Sequence, residues 1–133
     1  MSVHTYFIGL GSNVPSATEN LSRARALLSA SWGCSVTFST PVITLPVHFS
    51  NPALFTNQVA MLVADVSASA LKASLKRMEY QLGRRPEHKA QGVVPIDLDL
   101  LCVDGRVLRE SDWVRPDVRD GVAQLQASAC CRD

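Results

Sequence analysis

The sequence predicts an α+β domain, an antiparallel sheet with helices packed on it. Three observations lead there: strand-like and helix-like segments alternate, Gly or Pro punctuates the boundaries, and the last long strand turns back at an Asp-Gly pair. With 133 residues, 47% of them hydrophobic, the chain has enough apolar surface for one core and too little length for two. A single domain over residues 1–133 is expected.

Residues 3–10 read as a buried strand that closes on Gly11-Ser12-Asn13. Ser16, with Glu19 three places on, has the spacing of a capping box that opens a helix. Leu21, Ala24, Leu28 and Trp32 form that helix's apolar stripe, and Gly33 ends it. Residues 35–40 read as a second strand. The stretch TPVITLPVHFSNPALF holds three prolines, which predicts a long irregular loop over 41–52 of the kind that often carries function. Residues 57–63 return to strand character. Ser67 starts a second helix, with Leu71, Leu75, Met78 and Leu82 at helical spacing before Gly83. Residues 83–95 form a second loop marked by Gly and Pro and carrying Arg84, Arg85 and Lys89. The strand in VVPIDLDLLCVDG follows, turning at Asp104-Gly105 into a short partner over 106–108. This β-α-β-β-α-β order fits a ferredoxin-like arrangement with two helices on one face of the sheet.

Thirteen Lys and Arg against twelve Asp and Glu leave a net charge of +1, so the bulk charge calls for neither nucleic acid nor an anionic membrane. No apolar run approaches the roughly 18 residues that a membrane span requires, and the N-terminus lacks the basic-then-apolar pattern of a leader. A cytoplasmic protein is expected. Cys34, Cys102, Cys130 and Cys131 show no CxxC pair and no zinc-finger spacing, so they read as reduced thiols. His4, His48 and His88 are scattered and receive no chemistry.

The question lies in VVPIDLDLLCVDG. Successive strand side chains point to opposite faces, so Asp97 and Asp99 share one face about 7 Å apart while Ile96, Leu98 and Leu100 bury on the other. Their repulsion at roughly 6 Å is about 0.7 kcal/mol in water and about 3 kcal/mol at an effective dielectric of 20. A divalent cation offsets it. Magnesium takes one or two carboxylates and fills its shell with water and substrate phosphates, which suits such a pair at a cleft mouth. The same alternation also fits an ordinary amphipathic strand with one wet face. The two long loops flank the aspartate strand in sequence order. The first, rich in proline and aromatics, suits a flat apolar ligand; Arg84, Arg85 and Lys89 of the second suit phosphates, although each reads equally as a solvated charge. A dinucleotide-binding reading of GLGSN fails because Val14 stands where GxGxxG needs its third glycine.

The strand-end GSN, the TPVITLPV loop, PALFTNQVAML, MEYQLGR and IDLDLL, in that order over nearly the whole chain, resemble the 6-hydroxymethyl-7,8-dihydropterin pyrophosphokinase family of folate biosynthesis. The resemblance implies a ferredoxin-like α+β domain that transfers pyrophosphate from ATP to the pterin hydroxymethyl group. It also implies two Mg2+ ions held between Asp97, Asp99 and the ATP phosphates. On the pterin side it implies that Thr44 and Asn57 hydrogen-bond the ring and that Phe55 stacks on it. On the nucleotide side it implies an acid at Glu79 and a loop arginine at Arg84; Arg85 and Lys89, from the charge of the same loop, are expected as further nucleotide contacts.

The nucleotide half departs from the family pattern. Pro86 stands where a second loop arginine is usual, Gln91 where a tryptophan belongs, Val94 in place of an arginine, and Asp117 in place of a histidine; Val122 replaces a second stacking aromatic. A carboxylate at 117 adds repulsion toward phosphates. Two functions therefore stand open: an active, diverged pyrophosphokinase, or a non-catalytic pterin- or nucleotide-binding homologue.

Overall fold

The structure, a computed structural model, describes residues 2–45 and 53–130, the side chain of Cys130 excepted. Its first strand, β1 (His4–Ser12), leads into helix α1 (Ala17–Trp32), a single 3-10 turn and strand β2 (Val36–Phe38). Strands β3 (Val42–Thr44) and β4 (Phe55–Ala64) precede helix α2 (Ala68–Gln81) and a one-turn helix α3 (Glu87–Gln91). Strand β5 (Asp97–Val103), the short β6 (Arg106–Val107), the one-turn α4 (Glu110–Trp113) and helix α5 (Pro116–Cys130) complete it.

The sheet runs β2-β4-β1-β5-β6, with β3 also paired to β4, and every pairing is antiparallel. Placing β1 between β4 and β5 is the ferredoxin-like order. It is the α+β architecture that the alternation of elements predicts.

Alternation along β1 assigns its two faces. Tyr6, Ile8 and Leu10 face the main core with Leu98 and Leu100 of β5. Leu21, Ala24 and Leu28 of α1 and Leu71, Leu75 and Met78 of α2 close over them, as the helical spacing requires. Ser67 caps α2 by accepting from Ala70 N, and the two residues of the β5–β6 turn, Asp104 and Gly105, both have positive φ as a type I′ hairpin needs.

Three local expectations change. Ser16 makes no side-chain cap bond: its backbone, at φ -90 and ψ 26, lies outside the extended region from which a cap hydroxyl reaches back over the first turn. Part of the proline loop is strand, since Val42–Thr44 pairs with Asn57, Thr56 and Phe55; the remainder of that stretch, 46–52, lies outside the described residues. A third long helix, α5, covers part of the opposite sheet face, where Val118, Val122 and Leu125 pack on Phe7, Val59 and Leu101. The β1–β5 register shift between Phe7 and Ile8 explains Leu101: Ile8 faces Leu100 and Phe7 faces Cys102, so Leu101 is an extra, bulged residue.

Candidate active site

Two cross-strand rows create the site. Asp97, Gly11, Asn57 and Val42 occupy one row across β5, β1, β4 and β3, and Asp99 faces Gly9 in the next. Glycine at both β1 positions leaves no side chain between the aspartates and the asparagine, so a trough opens in the middle of the sheet face. There is little spare room at Gly11, where an added Cβ would lie 2.8 Å from Asn57 Oδ1.

That trough is part of a cavity of about 380 Å³, within the usual range for a small-molecule site. Thr44, Phe55 and Asn57 line one part of it and Asp97 and Asp99 another. Asn57 Nδ2 donates to Thr44 Oγ1 at 2.6 Å, which fixes the amide with its oxygen over Gly11. Val122, which stands where the family pattern has a second stacking aromatic, points into the packing beneath α5 and is 2% exposed.

A second cavity of about 300 Å³ is lined by Lys76, Glu79, Tyr80, Arg84, Arg85, Pro86 and Lys89. Arg85 packs its guanidinium 3.8 Å from the centroid of the Tyr80 ring and donates to Tyr80 O at 2.8 Å. Glu79 belongs to this cavity and the two aspartates to the first, yet carboxylate oxygens of all three lie within 4.8 Å of one another. The acid cluster is where the two cavities meet.

Glu79 completes the cluster because α2 packs on β5. Spaced four residues from Leu75 on the buried face of α2, it accepts Leu98 N at 2.7 Å on the stretch of the outer edge of β5 that the short β6, paired only to Cys102 and Val103, leaves open. Arg84, one turn past the helix, donates to Asp97 Oδ1 at 2.6 Å and to Glu79 Oε2 at 3.4 Å.

Electrostatics separate the acids. Burial pushes the Asp99 carboxyl up to about 8, helped by its hydrogen bond to Asp97 and by that neighbour's charge. Burial also raises Asp97, but the hydrogen bond from Asp99 and the Arg84 charge outweigh it and hold Asp97 below the ordinary carboxylate value. The two carboxyls are thus driven in opposite directions, Asp99 up and Asp97 down. Burial raises Glu79, opposed by the Leu98 hydrogen bond and by Arg84. Three clustered carboxyl groups form a hard-oxygen donor set suited to a divalent cation such as magnesium.

The segment before Asp97 is anchored by the GSN at the end of β1. Asn13 Oδ1 accepts Val94 N at 2.6 Å, Asn13 Nδ2 donates to Gly92 O at 2.9 Å, and Ser12 Oγ donates to Pro95 O at 2.7 Å. These bonds fix where β5 begins and hence where Asp97 points. Val94 itself is buried, so position 94 does not face a phosphate site. Asp117 is not a bare carboxylate either: Arg115 grips it from Nε at 3.1 Å and Nη2 at 2.7 Å, offsetting the repulsion its sequence position implied.

Sequence reasoning missed Arg109, Asp112 and Arg115, all lining the first cavity. The chain offered one signal, a cluster of charges between the β5–β6 hairpin and Pro116. Among the described residues, no helix is long and apolar enough to cross a membrane.

Residues 7–125 match the family described as 7,8-dihydro-6-hydroxymethylpterin-pyrophosphokinase. Among curated proteins, the chain is similar to two from Arabidopsis thaliana. "Folate synthesis bifunctional protein, mitochondrial" is 31% identical over 139 residues, covering 98% of this chain and 25% of that protein. "Folate synthesis bifunctional protein" is 35% identical over 120 residues, covering 84% of this chain and 25% of that protein. The chain thus spans about a quarter of the length of these relatives. With a family match running from the first strand of the sheet into the last helix, the chain belongs to the 7,8-dihydro-6-hydroxymethylpterin-pyrophosphokinase family.

Proposed function

We propose that this chain transfers diphosphate from ATP to the hydroxymethyl group of 6-hydroxymethyl-7,8-dihydropterin, a step of folate biosynthesis. The observation that carries the reading is the meeting of two cavities at one acid cluster, one lined by Thr44, Phe55 and Asn57 and the other by Arg85 and Lys89. A two-substrate transfer needs its acceptor and donor on either side of the groups that neutralise the transferred charge.

In this mechanism Thr44 and Asn57 hydrogen-bond the edge of the pterin ring and Phe55 packs on its face, directing the hydroxymethyl oxygen toward the aspartates. That oxygen bonds to the β-phosphorus of ATP. The bond from this phosphorus to the oxygen bridging it to the α-phosphate breaks, AMP leaves with the electron pair, and the hydroxyl proton passes to solvent. Magnesium, two ions by family resemblance, would be held by Asp97 and Asp99 and would supply counter-charge to the phosphates. Glu79 fixes the edge of β5 beside Asp97 through Leu98 N. Arg84 gives up part of its contact with Asp97 and turns its free donors to the phosphates, with Arg85 and Lys89 on the nucleotide side.

The test is AMP release from ATP and magnesium with 6-hydroxymethyl-7,8-dihydropterin. AMP should form in equal amount with diphosphorylated pterin and depend on the pterin. Tight binding of both substrates without AMP would establish the non-catalytic alternative, which the substitutions at Pro86 and Gln91 favour. We place the protein in the cytoplasm on its free cysteines Cys34 and Cys102, a placement that cell fractionation tests.

A further inference from the structure

We infer that Arg109 is a contact for the diphosphate being transferred, held in position by Asp112 and Arg115; the inference rests on the transfer reaction proposed above. Arg109 lies between β6 and α4 and lines the first cavity, the one that also holds Asp97 and Asp99. Its Nε donates to Asp112 Oδ2 at 2.7 Å, while its Nη1 stands 3.7 Å from Asp99 Oδ1. The other oxygen of Asp112 lies 3.5 Å from Arg115 Nη1, and Arg115 is anchored on Asp117. The chain of alternating charges Asp99, Arg109, Asp112, Arg115 and Asp117 therefore holds the stem side of the Arg109 guanidinium, leaving its outer nitrogens toward the aspartates.

The geometry follows from the size of a cation shell. A phosphate oxygen that sits next to Asp99 in an octahedral magnesium shell would lie about 3 Å from the Asp99 oxygen, since each metal–oxygen distance is about 2.1 Å. Arg109 Nη1 is 3.7 Å from that same carboxylate oxygen, so the phosphate falls within reach of a side-chain rotation. Arg84, already divided between Asp97 and Glu79, approaches the acids from the nucleotide cavity. Arg109 approaches from the acceptor cavity, on the side from which the diphosphate must be received. A phosphate in transfer between the cavities would then meet a guanidinium from each side, and the cation absent at position 86 is supplied from another part of the fold.

A role limited to neutralising Asp99 makes a different prediction from contact with phosphate. Removing a cation beside a cation site tightens magnesium binding on either account, whereas only a phosphate contact also loosens the anion. The experiment is calorimetry of wild type, Arg109→Ala, Arg109→Lys and Asp112→Asn with magnesium alone, magnesium plus inorganic pyrophosphate, and AMP. Arg109→Ala should weaken magnesium-dependent pyrophosphate binding about 10- to 100-fold, the loss typical of a charge-assisted bond, and leave AMP affinity within about twofold. Magnesium alone should bind as tightly or more tightly. Arg109→Lys should retain part of the affinity. Asp112→Asn should show a smaller loss that disappears in the Arg109→Ala background, as a positioning residue must. Unchanged pyrophosphate affinity in Arg109→Ala, or equal weakening of AMP, overturns the inference; should Arg109→Ala fail to fold, wild-type affinity in both Arg109→Lys and Asp112→Asn overturns it. A wild-type protein that binds neither magnesium pyrophosphate nor magnesium ATP overturns the proposed function itself.

Discussion

Gly11→Ala is the sharpest test of how the acceptor cavity is built. The added Cβ would lie 2.8 Å from Asn57 Oδ1, and ordinary van der Waals contact begins at 3.4 Å, so the two must separate by about 0.6 Å. Gly11 cannot easily be the one to move, because β1 is paired on both sides, to Asn57 and to Asp97. The amide of Asn57 therefore retreats and strains its 2.6 Å bond to Thr44. Overpacking of this kind costs about 1–2 kcal/mol of stability. Misplacing a partly buried amide proposed to bind the ring should weaken pterin binding by about 1–3 kcal/mol, or roughly 5- to 150-fold. The assay is calorimetric titration with 6-hydroxymethyl-7,8-dihydropterin, alongside thermal melts to verify the fold. Gly9→Ala is the control: the nearest atoms its Cβ would meet belong to the Leu101 side chain, the first at 3.3 Å, and that side chain can turn aside. In an Asn57→Ala background the Gly11 substitution should have little further effect. Native pterin affinity in a folded Gly11→Ala protein, or additive losses with Asn57→Ala, would refute the argument that this glycine makes room for the asparagine.

Replacing Asp97 or Asp99 by Asn should abolish magnesium-dependent ATP binding while leaving circular dichroism native, since the amide keeps the shape of the carboxyl and removes an anionic ligand from the cluster; ATP titrations with and without magnesium check it. Magnesium affinity should rise with pH up to about 8 and then level off, because the cation must displace the proton that Asp99 holds. By the same linkage the folded, metal-free chain holds a proton that the unfolded chain releases at an ordinary carboxylate pKa. Its stability should thus fall as pH rises toward and through about 8, and magnesium should reverse the fall in thermal melts. Phe55→Ala should weaken pterin binding by about 1–3 kcal/mol through lost apolar area and stacking, with ATP affinity unchanged by calorimetry.

What the sequence determined by itself is what short-range geometry dictates. Period-two alternation is enough to put Asp97 and Asp99 on one face of β5 and Leu98 and Leu100 on the other, whatever the strand later packs against. Helical spacing is enough to mark Leu71, Leu75 and Met78 as buried, and Asp104-Gly105 is enough for the hairpin, because each depends on residues a few places apart. The tertiary structure decided whatever depends on partners distant in the chain. Val42–Thr44 became a strand because β4 offered it an edge, which no local pattern among prolines reveals. Glu79 joined the acids only when α2 settled against β5, although its place four residues from Leu75 had already put it on the buried face. The bulge at Leu101 and the packing of α5 turned Val122 inward, and Asn13 buried Val94, so neither valine faces a ligand. Arg109 and Arg115 entered the cavity by the same route: a charge in sequence has only a sign, and its partners exist once β6, α4 and α5 have folded back beside the aspartate strand.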